Sequence, residues 1–129
     1  MLPVMVTPRP GLIDVHPVHW LKATPSADGL SLTVSFWGGP CVAVDNVAVA
    51  ETAATITVTL YEGTPPSDVH AACPELAVLQ GVRVELQSPV AGRTIVDGAP
   101  EHVPPASPPV GNGIGGSPGA SVPPDAPAA

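Results

Sequence analysis

The sequence of 129 residues is poor in cations and in aromatic residues. Its only cations are Arg9, Lys22, Arg83 and Arg93, which lie far apart, and the formal net charge is −7. No basic stripe with interleaved aromatic residues is present to attract phosphates and stack on bases. The composition therefore argues against a nucleic-acid partner, and equally against attraction to an anionic membrane surface.

Long apolar runs are also missing. No stretch approaches the roughly 18 unbroken apolar residues of a membrane-spanning helix, so no transmembrane span is predicted. The apolar start from Met1 to Val6 has no charged flank and is interrupted by Pro3, which is not typical of a leader peptide. An exported chain would therefore have had its leader removed or would start elsewhere.

Residues that carry chemistry are few and scattered. His16 and His19 are three positions apart, which places them on opposite faces of a strand, and no other potential ligand clusters with them. We therefore expect no metal site, no cofactor, no catalytic residue and no enzymatic activity. One catalytic alternative stays open, in which Cys73 is a nucleophile and His70 is its base.

The chain contains two cysteines, Cys41 and Cys73, which bracket several predicted strands. This arrangement favours a single structural disulfide and an oxidising compartment, so we expect a secreted or cell-envelope protein. For a loop of this length, the chain-entropy model gives a stabilisation of ~3.5–4 kcal/mol. The alternative is an intracellular protein with reduced thiols.

Apolar and polar residues alternate with period two in several segments, which predicts strands with one buried face. The clearest are Leu30 to Trp37, Thr55 to Tyr61 and Val82 to Leu86, with a short strand at Thr94 to Val96. The valines before and after Asp45–Asn46 differ in parity, which predicts a β-bulge there.

Three further segments have weaker patterns. A first edge strand is predicted within Ile13 to Lys22, because Pro17 cannot donate in a central ladder. Glu62 to Asp68 is predicted as a loop, and Pro74 to Leu79 as one or two helical turns, with a strand as the alternative. Together the pattern predicts an all-β fold, a small β-sandwich of about six or seven short antiparallel strands, with a small barrel as the alternative.

The sequence divides into three parts. Residues 1–11 are rich in proline and predicted to be extended, and residues 12–98 form the β-sandwich domain. In residues 99–129, 23 of the 31 residues are Pro, Gly, Ala or Ser. Such a segment has no apolar face to offset its ordering entropy, so we predict a disordered, proline-rich tail.

Three residues form a possible recognition surface: Trp37, Arg93 and Asp97. Trp37 falls on the nominally polar face of its strand, where it either covers the edge of the core or offers a flat stacking surface for a glycan or peptide. Arg93 and Asp97 are assigned first to a structural ion pair or to turn-locking hydrogen bonds, and only second to recognition.

A sequence pattern extends over roughly Trp20 to Gly98. It comprises Trp37 to Cys41, Asp45, Val47, Val49, Glu51–Thr52, Thr55 to Leu60, Glu62–Gly63, Cys73, Ala77 and Pro89 to Gly98. This pattern resembles a group of functionally uncharacterised small exported proteins and lipoproteins of actinobacteria, in which a strand runs into Gly-Gly and a Cys. The paired cysteines and Gly92-Arg93…Asp97-Gly98 are its most specific parts. The chain differs from the group in carrying no leader or lipobox, and in Ala91. The resemblance implies export, a disulfide and a β domain, and no catalytic residue.

The sequence therefore predicts a non-catalytic exported or cell-envelope β-sandwich with a binding or structural role and an unknown protein or cell-wall partner. One alternative is a subunit of a larger assembly, such as a virion decoration or surface layer. The other is a small enzyme that uses Cys73 and His70.

Overall fold

The computed structural model describes residues 2–70, 72–74 and 76–101. Within these residues the fold is all-β, as predicted, with two packed sheets and one short 3-10 helix at Pro66–Asp68. The eight strands are β1 (Val4–Val6), β2 (Ile13–Val18), β3 (Lys22–Pro25), β4 (Ser31–Gly38), β5 (Ala43–Glu51), β6 (Thr55–Thr64), β7 (Val78–Glu85) and β8 (Thr94–Asp97).

One sheet has the strand order β1-β7-β4-β3, and the other has the order β2-β6-β5. In the second sheet β8 also pairs with β6. β6 is long enough to hold two partners end to end on one edge, because β2 pairs with residues 60–64 and β8 with residues 55–58. The pairings of β1 with β7 and of β8 with β6 are parallel. The prediction of antiparallel strands throughout is therefore wrong for these two pairs.

The core lies between the two sheets and follows the alternation in the sequence. β4 and β7 supply the inward side chains of one sheet, and β2, β5 and β6 those of the other. The fully or nearly fully buried apolar residues are Val18, Leu32, Val34, Phe36, Val44, Ile56, Val58, Leu60, Val82 and Val84. Burial of this interdigitated set is the main favourable contribution to folding.

Two of the predicted boundaries differ from the structure. The prediction of helical turns over Pro74 to Leu79 is wrong for the described residues, because β7 begins at Val78 and Leu76 and Ala77 are not helical. Val78 is β-branched and pairs with Gly38 of β4. This strand pairing overrides the local signal for the start of a helix at Pro74. The predicted loop at Glu62 to Asp68 is also too long, since β6 continues to Thr64.

The N-terminal half contains more strand than the sequence predicts. The segment predicted as extended, residues 1–11, contributes β1, and the single predicted edge strand is two strands in different sheets. The bulge predicted at Asp45–Asn46 is confirmed by the register shift between Val44 and Asn46. From residue 102 onward, the predicted tail lies outside the described residues.

Candidate functional site

Cys41 and Cys73 form a disulfide, with 6.1 Å between their Cα atoms. Cys41 lies in the connection from β4 to β5, and Cys73 lies in the connection from β6 to β7. Both connections pass from one sheet to the other at the same end of the sandwich, since Gly38 pairs with Val78 there. The disulfide therefore joins the two sheet-crossing connections at this end.

Arg93 links two connections at the opposite end of the sandwich. Its guanidinium donates to the carbonyl oxygens of Thr52 at 3.1 Å, Ser88 at 2.9 Å and Pro89 at 2.7 Å. It also forms an ion pair with Glu51 at 3.1 Å, and the Arg93 side chain is only 9% exposed. The planar, five-donor group is suited to several acceptors at once, so Arg93 fixes the β5–β6 turn against the β7–β8 connection.

Glu51 completes this junction from the other side. Its carboxylate accepts a hydrogen bond from the Gln87 amide at 2.8 Å. This amide contact is the largest cause that holds the pKa of Glu51 below its ordinary value, and the Arg93 guanidinium acts in the same direction. The carboxylate is thus committed to a structural junction.

Asp97 lies where β8 and β2 meet along β6. One of its oxygens accepts from the Trp20 amide at 3.1 Å and lies 2.9 Å from His19 Nδ1, and the other accepts from the Ala99 amide at 2.9 Å. The Trp20 indole donates to the Val58 carbonyl at 2.9 Å. Asp97 and Arg93 therefore do not pair with each other, and each forms its own set of internal contacts.

Trp37 is half-buried and belongs to the outer face of its sheet. It pairs with Leu79 of β7, and one step further along the sheet Ser35 pairs with Gly81. Gly81 is covered by Met5, whose sulfur would lie 3.0 Å from a side chain built at this glycine. The outer face therefore carries a small apolar group, Trp37, Leu79 and Met5, at the side nearer the disulfide.

The three residues of the predicted recognition surface do not converge. Trp37 lies one residue before the end of β4, toward the disulfide, whereas Arg93 lies at the other end of the sandwich and in the other sheet's turn region. Asp97 lies opposite Val58 in the middle of β6. A recognition role for each of them stays a prediction. Of the three, Trp37 is the one whose side chain forms no hydrogen bond with another residue that the structure describes.

The histidines are separated in the fold. His19 contacts Asp97, and His16 Nδ1 lies 2.6 Å from the carbonyl oxygen of Asp14, which adopts a positive φ of 55°. In the described ranges of the chain, no three His, Cys, Asp or Glu side chains come together in a way that could hold a metal ion. The alternative pair of Cys73 and His70 needs a free thiol, and Cys73 is in a disulfide.

Glu62 is a functional candidate that the sequence pattern predicts to lie in a loop. It lies on β6, pairs with His16 on one side and Val44 on the other, and is only 3% exposed. Its Oε2 has no hydrogen-bond partner among the described residues. Burial raises the pKa of Glu62 to about 7, against the opposing effect of His16.

A signal for Glu62 was present in the sequence. The inward residues of β6 are Ile56, Val58 and Leu60, and position 62 has the same parity. Extending the predicted strand by one residue beyond Tyr61 places the Glu62 carboxyl on the inner face. Because its pKa is raised to about 7 by burial, such a group takes up a proton near neutral pH.

Comparison with known proteins finds no match for this chain. No protein-family model matches it, and neither a curated protein nor a solved structure is similar to it. None of the helical residues that the structure describes forms a segment long and apolar enough to cross a membrane. The structure is an all-β sandwich, and its one disulfide links the two connections that cross between the sheets.

Proposed function

We propose that the protein is a non-catalytic, exported or cell-envelope β-sandwich with a binding or structural role. The observation that carries this proposal is the Cys41–Cys73 disulfide, which joins two connections far apart in sequence. Disulfides of this structural type persist in oxidising compartments. A fold of about 100 described residues gains a large share of its stability from such a link.

The proposal is tested by the oxidation state of the protein purified from its native host. Intact mass is measured after alkylation, once without and once with prior reduction. Two adducts that form only after reduction support export. Two adducts without reduction contradict it, because free thiols indicate a reducing compartment.

The recognition surface of this proposed binding protein is the outer face around Trp37. Support comes from the half-exposed indole beside Leu79 and Met5, since aromatic side chains contribute strongly to binding of peptides and glycans. We expect the Trp37→Ala variant to lose retention on isolated host cell walls. A matched control is Trp20→Phe, which leaves the outer face unchanged.

The alternative role as a structural subunit has support of its own. β5 forms one edge of its sheet and runs for nine residues without Lys, Arg or Pro. Beyond the bulge near Asp45, the stretch from Asn46 to Ala50 is an unprotected strand edge, which favours pairing with another chain.

A further inference from the structure

The outermost strands differ in how their free edges are protected. β1 has three residues and β8 has four, β3 carries Lys22 and Pro25, and β2 carries Pro17 and a register irregularity. Short length, lysine, proline and irregular register all oppose the pairing of an edge with another strand. β5 also has a register irregularity, between Val44 and Asn46, and its Val44 carbonyl accepts from the Arg9 amide at 2.8 Å. Beyond that point, from Asn46 to Ala50, the edge has no lysine, proline or irregularity.

The hydrogen-bonding groups at this edge follow from the β5–β6 turn. The Thr52 amide donates to the Thr55 carbonyl at 2.8 Å, which sets the phase of the antiparallel ladder. In that phase Ala48 bonds to β6, and the N–H and C=O groups of Val47 and Val49 point away from it. In the part of the chain that the structure describes, no other backbone group bonds to these outward groups.

The acidic residues at the two ends of this edge are occupied by internal contacts. Asp45 Oδ1 accepts from the amides of Gly11 and Leu12, each at 3.0 Å. Glu51 pairs with Arg93 at 3.1 Å. The edge between them, from Asn46 to Ala50, is uncharged, so no charged side chain lies along these five residues where a second copy would pair.

We propose that β5 pairs antiparallel with β5 of a second copy of this chain, about a two-fold axis through Ala48. The sequence Val47-Ala48-Val49 is the same in both directions, so the edge is its own antiparallel complement. Val47 and Val49 of each copy then exchange main-chain hydrogen bonds, and only two methyl groups meet at the axis. This two-fold contact is the commonest kind of homodimer interface and extends the β2-β6-β5 sheet through both copies.

This inference rests on the proposed structural role, and the two can fail separately. The alkylation experiment reports on the compartment, whereas the mass in solution reports on β5. Disulfide-bonded protein that stays monomeric contradicts only the pairing.

The first test is the mass of the full chain by size-exclusion chromatography with light scattering. We expect a dimer of twice the 12.9 kDa chain, in a fraction that rises with protein concentration. Added salt should raise that fraction, because each copy carries a net charge of −7 that salt screens. Monomer at every concentration and salt level overturns the proposal.

The second test uses charge at the axis. In Ala48→Lys each lysine faces its counterpart, so the dimer fraction should fall at least tenfold, while the exposed position leaves the monomer folded. Ala53→Lys in the β5–β6 turn adds the same charge away from the axis and should dimerise like the original protein. Equal dimer fractions in the two variants overturn the proposal.

A third test gives a positive signal. Ala48→Cys places one thiol from each copy across the axis, and mild oxidation should yield a covalent dimer with the Cys41–Cys73 link intact. Ala53→Cys should yield none. A covalent dimer from both variants, or from neither, contradicts the two-fold axis at Ala48.

Discussion

Glu62 is a carboxyl group inside the sandwich, and its burial links folding to pH. The folded state holds a proton on Glu62 up to a pKa of about 7, whereas the ordinary value is 4.5. Between these values the folded chain binds more protons than the unfolded chain, so stability falls as pH rises from 4.5 and levels off above 7. The full difference is about 3 kcal/mol.

The Glu62→Gln variant replaces the carboxyl group with an amide that does not ionise. We expect its urea midpoint to fall less than that of the original protein between pH 5 and pH 8. Glu85→Gln is the matched control, because Glu85 is exposed and should leave the original slope unchanged. If Glu62→Gln and the original protein have parallel pH profiles, Glu62 does not ionise in this range.

The stability of the fold should depend on the planar guanidinium of Arg93 and not only on its charge. Arg93→Lys keeps the charge but cannot reach the carbonyls of Thr52, Ser88 and Pro89 together, so the free energy of unfolding should fall by about 1–3 kcal/mol. Arg83→Lys is the control, since Arg83 is 67% exposed and pairs with Glu85 at the surface. We expect a change below about 0.5 kcal/mol there, and equal losses in the two variants would contradict the junction.

Among the strands, the contact of β2 with β6 depends on Gly63. A Cβ at this position would lie 2.8 Å from Leu12 Cβ and 2.9 Å from the Ile13 carbonyl oxygen. Gly63→Ala should therefore push β2 away and lower stability by about 1–3 kcal/mol, with faster amide exchange at Val18. Ala43→Gly, at the paired position of β5, adds no atoms and should leave exchange in β2 unchanged.

The strands that sequence predicts well are those with one buried and one outer face. Alternation predicts β4, β6 and most of β7, and the change of parity predicts the bulge near Asp45. The sequence does not predict β1, because three residues between prolines show no period-two alternation and their partner strand is distant in sequence. Sequence alternation also fails to predict the burial of Glu62, because that burial depends on where β6 ends.

The candidate site was predictable only in part, for a physical reason. With just two cysteines in the chain, Cys41 and Cys73 have a single possible intramolecular partner. Spacing in the sequence, however, does not reveal which end of a sandwich a side chain reaches. The predicted recognition surface therefore combines Trp37, Arg93 and Asp97, which the structure places at different positions along the sheets.

For the whole molecule, the disulfide and the Arg93 junction connect the sheets at opposite ends. Reduction of Cys41–Cys73 should lower the free energy of unfolding by about 3–4 kcal/mol, because the unfolded chain regains the freedom of a loop of this length. Denaturation by urea with and without reductant measures this difference. The double variant Cys41→Ser/Cys73→Ser should match the reduced protein, and coincident curves for oxidised and reduced protein would contradict a structural disulfide.

The two strands that share one edge of β6 come from opposite ends of the described chain. Asp97 contacts His19, which lies 78 positions earlier in the sequence, and this contact joins β8 to the end of β2 along the edge of β6. A chain emerging from a ribosome or a membrane channel can oxidise its cysteines once residue 73 is out, but cannot close this edge until residue 97 follows. Such distant pairing slows folding. This edge therefore cannot close before the rest of the sandwich has been synthesised, and a chain truncated before residue 94 should lack the pairing of β8 with β6 and the Asp97 contacts.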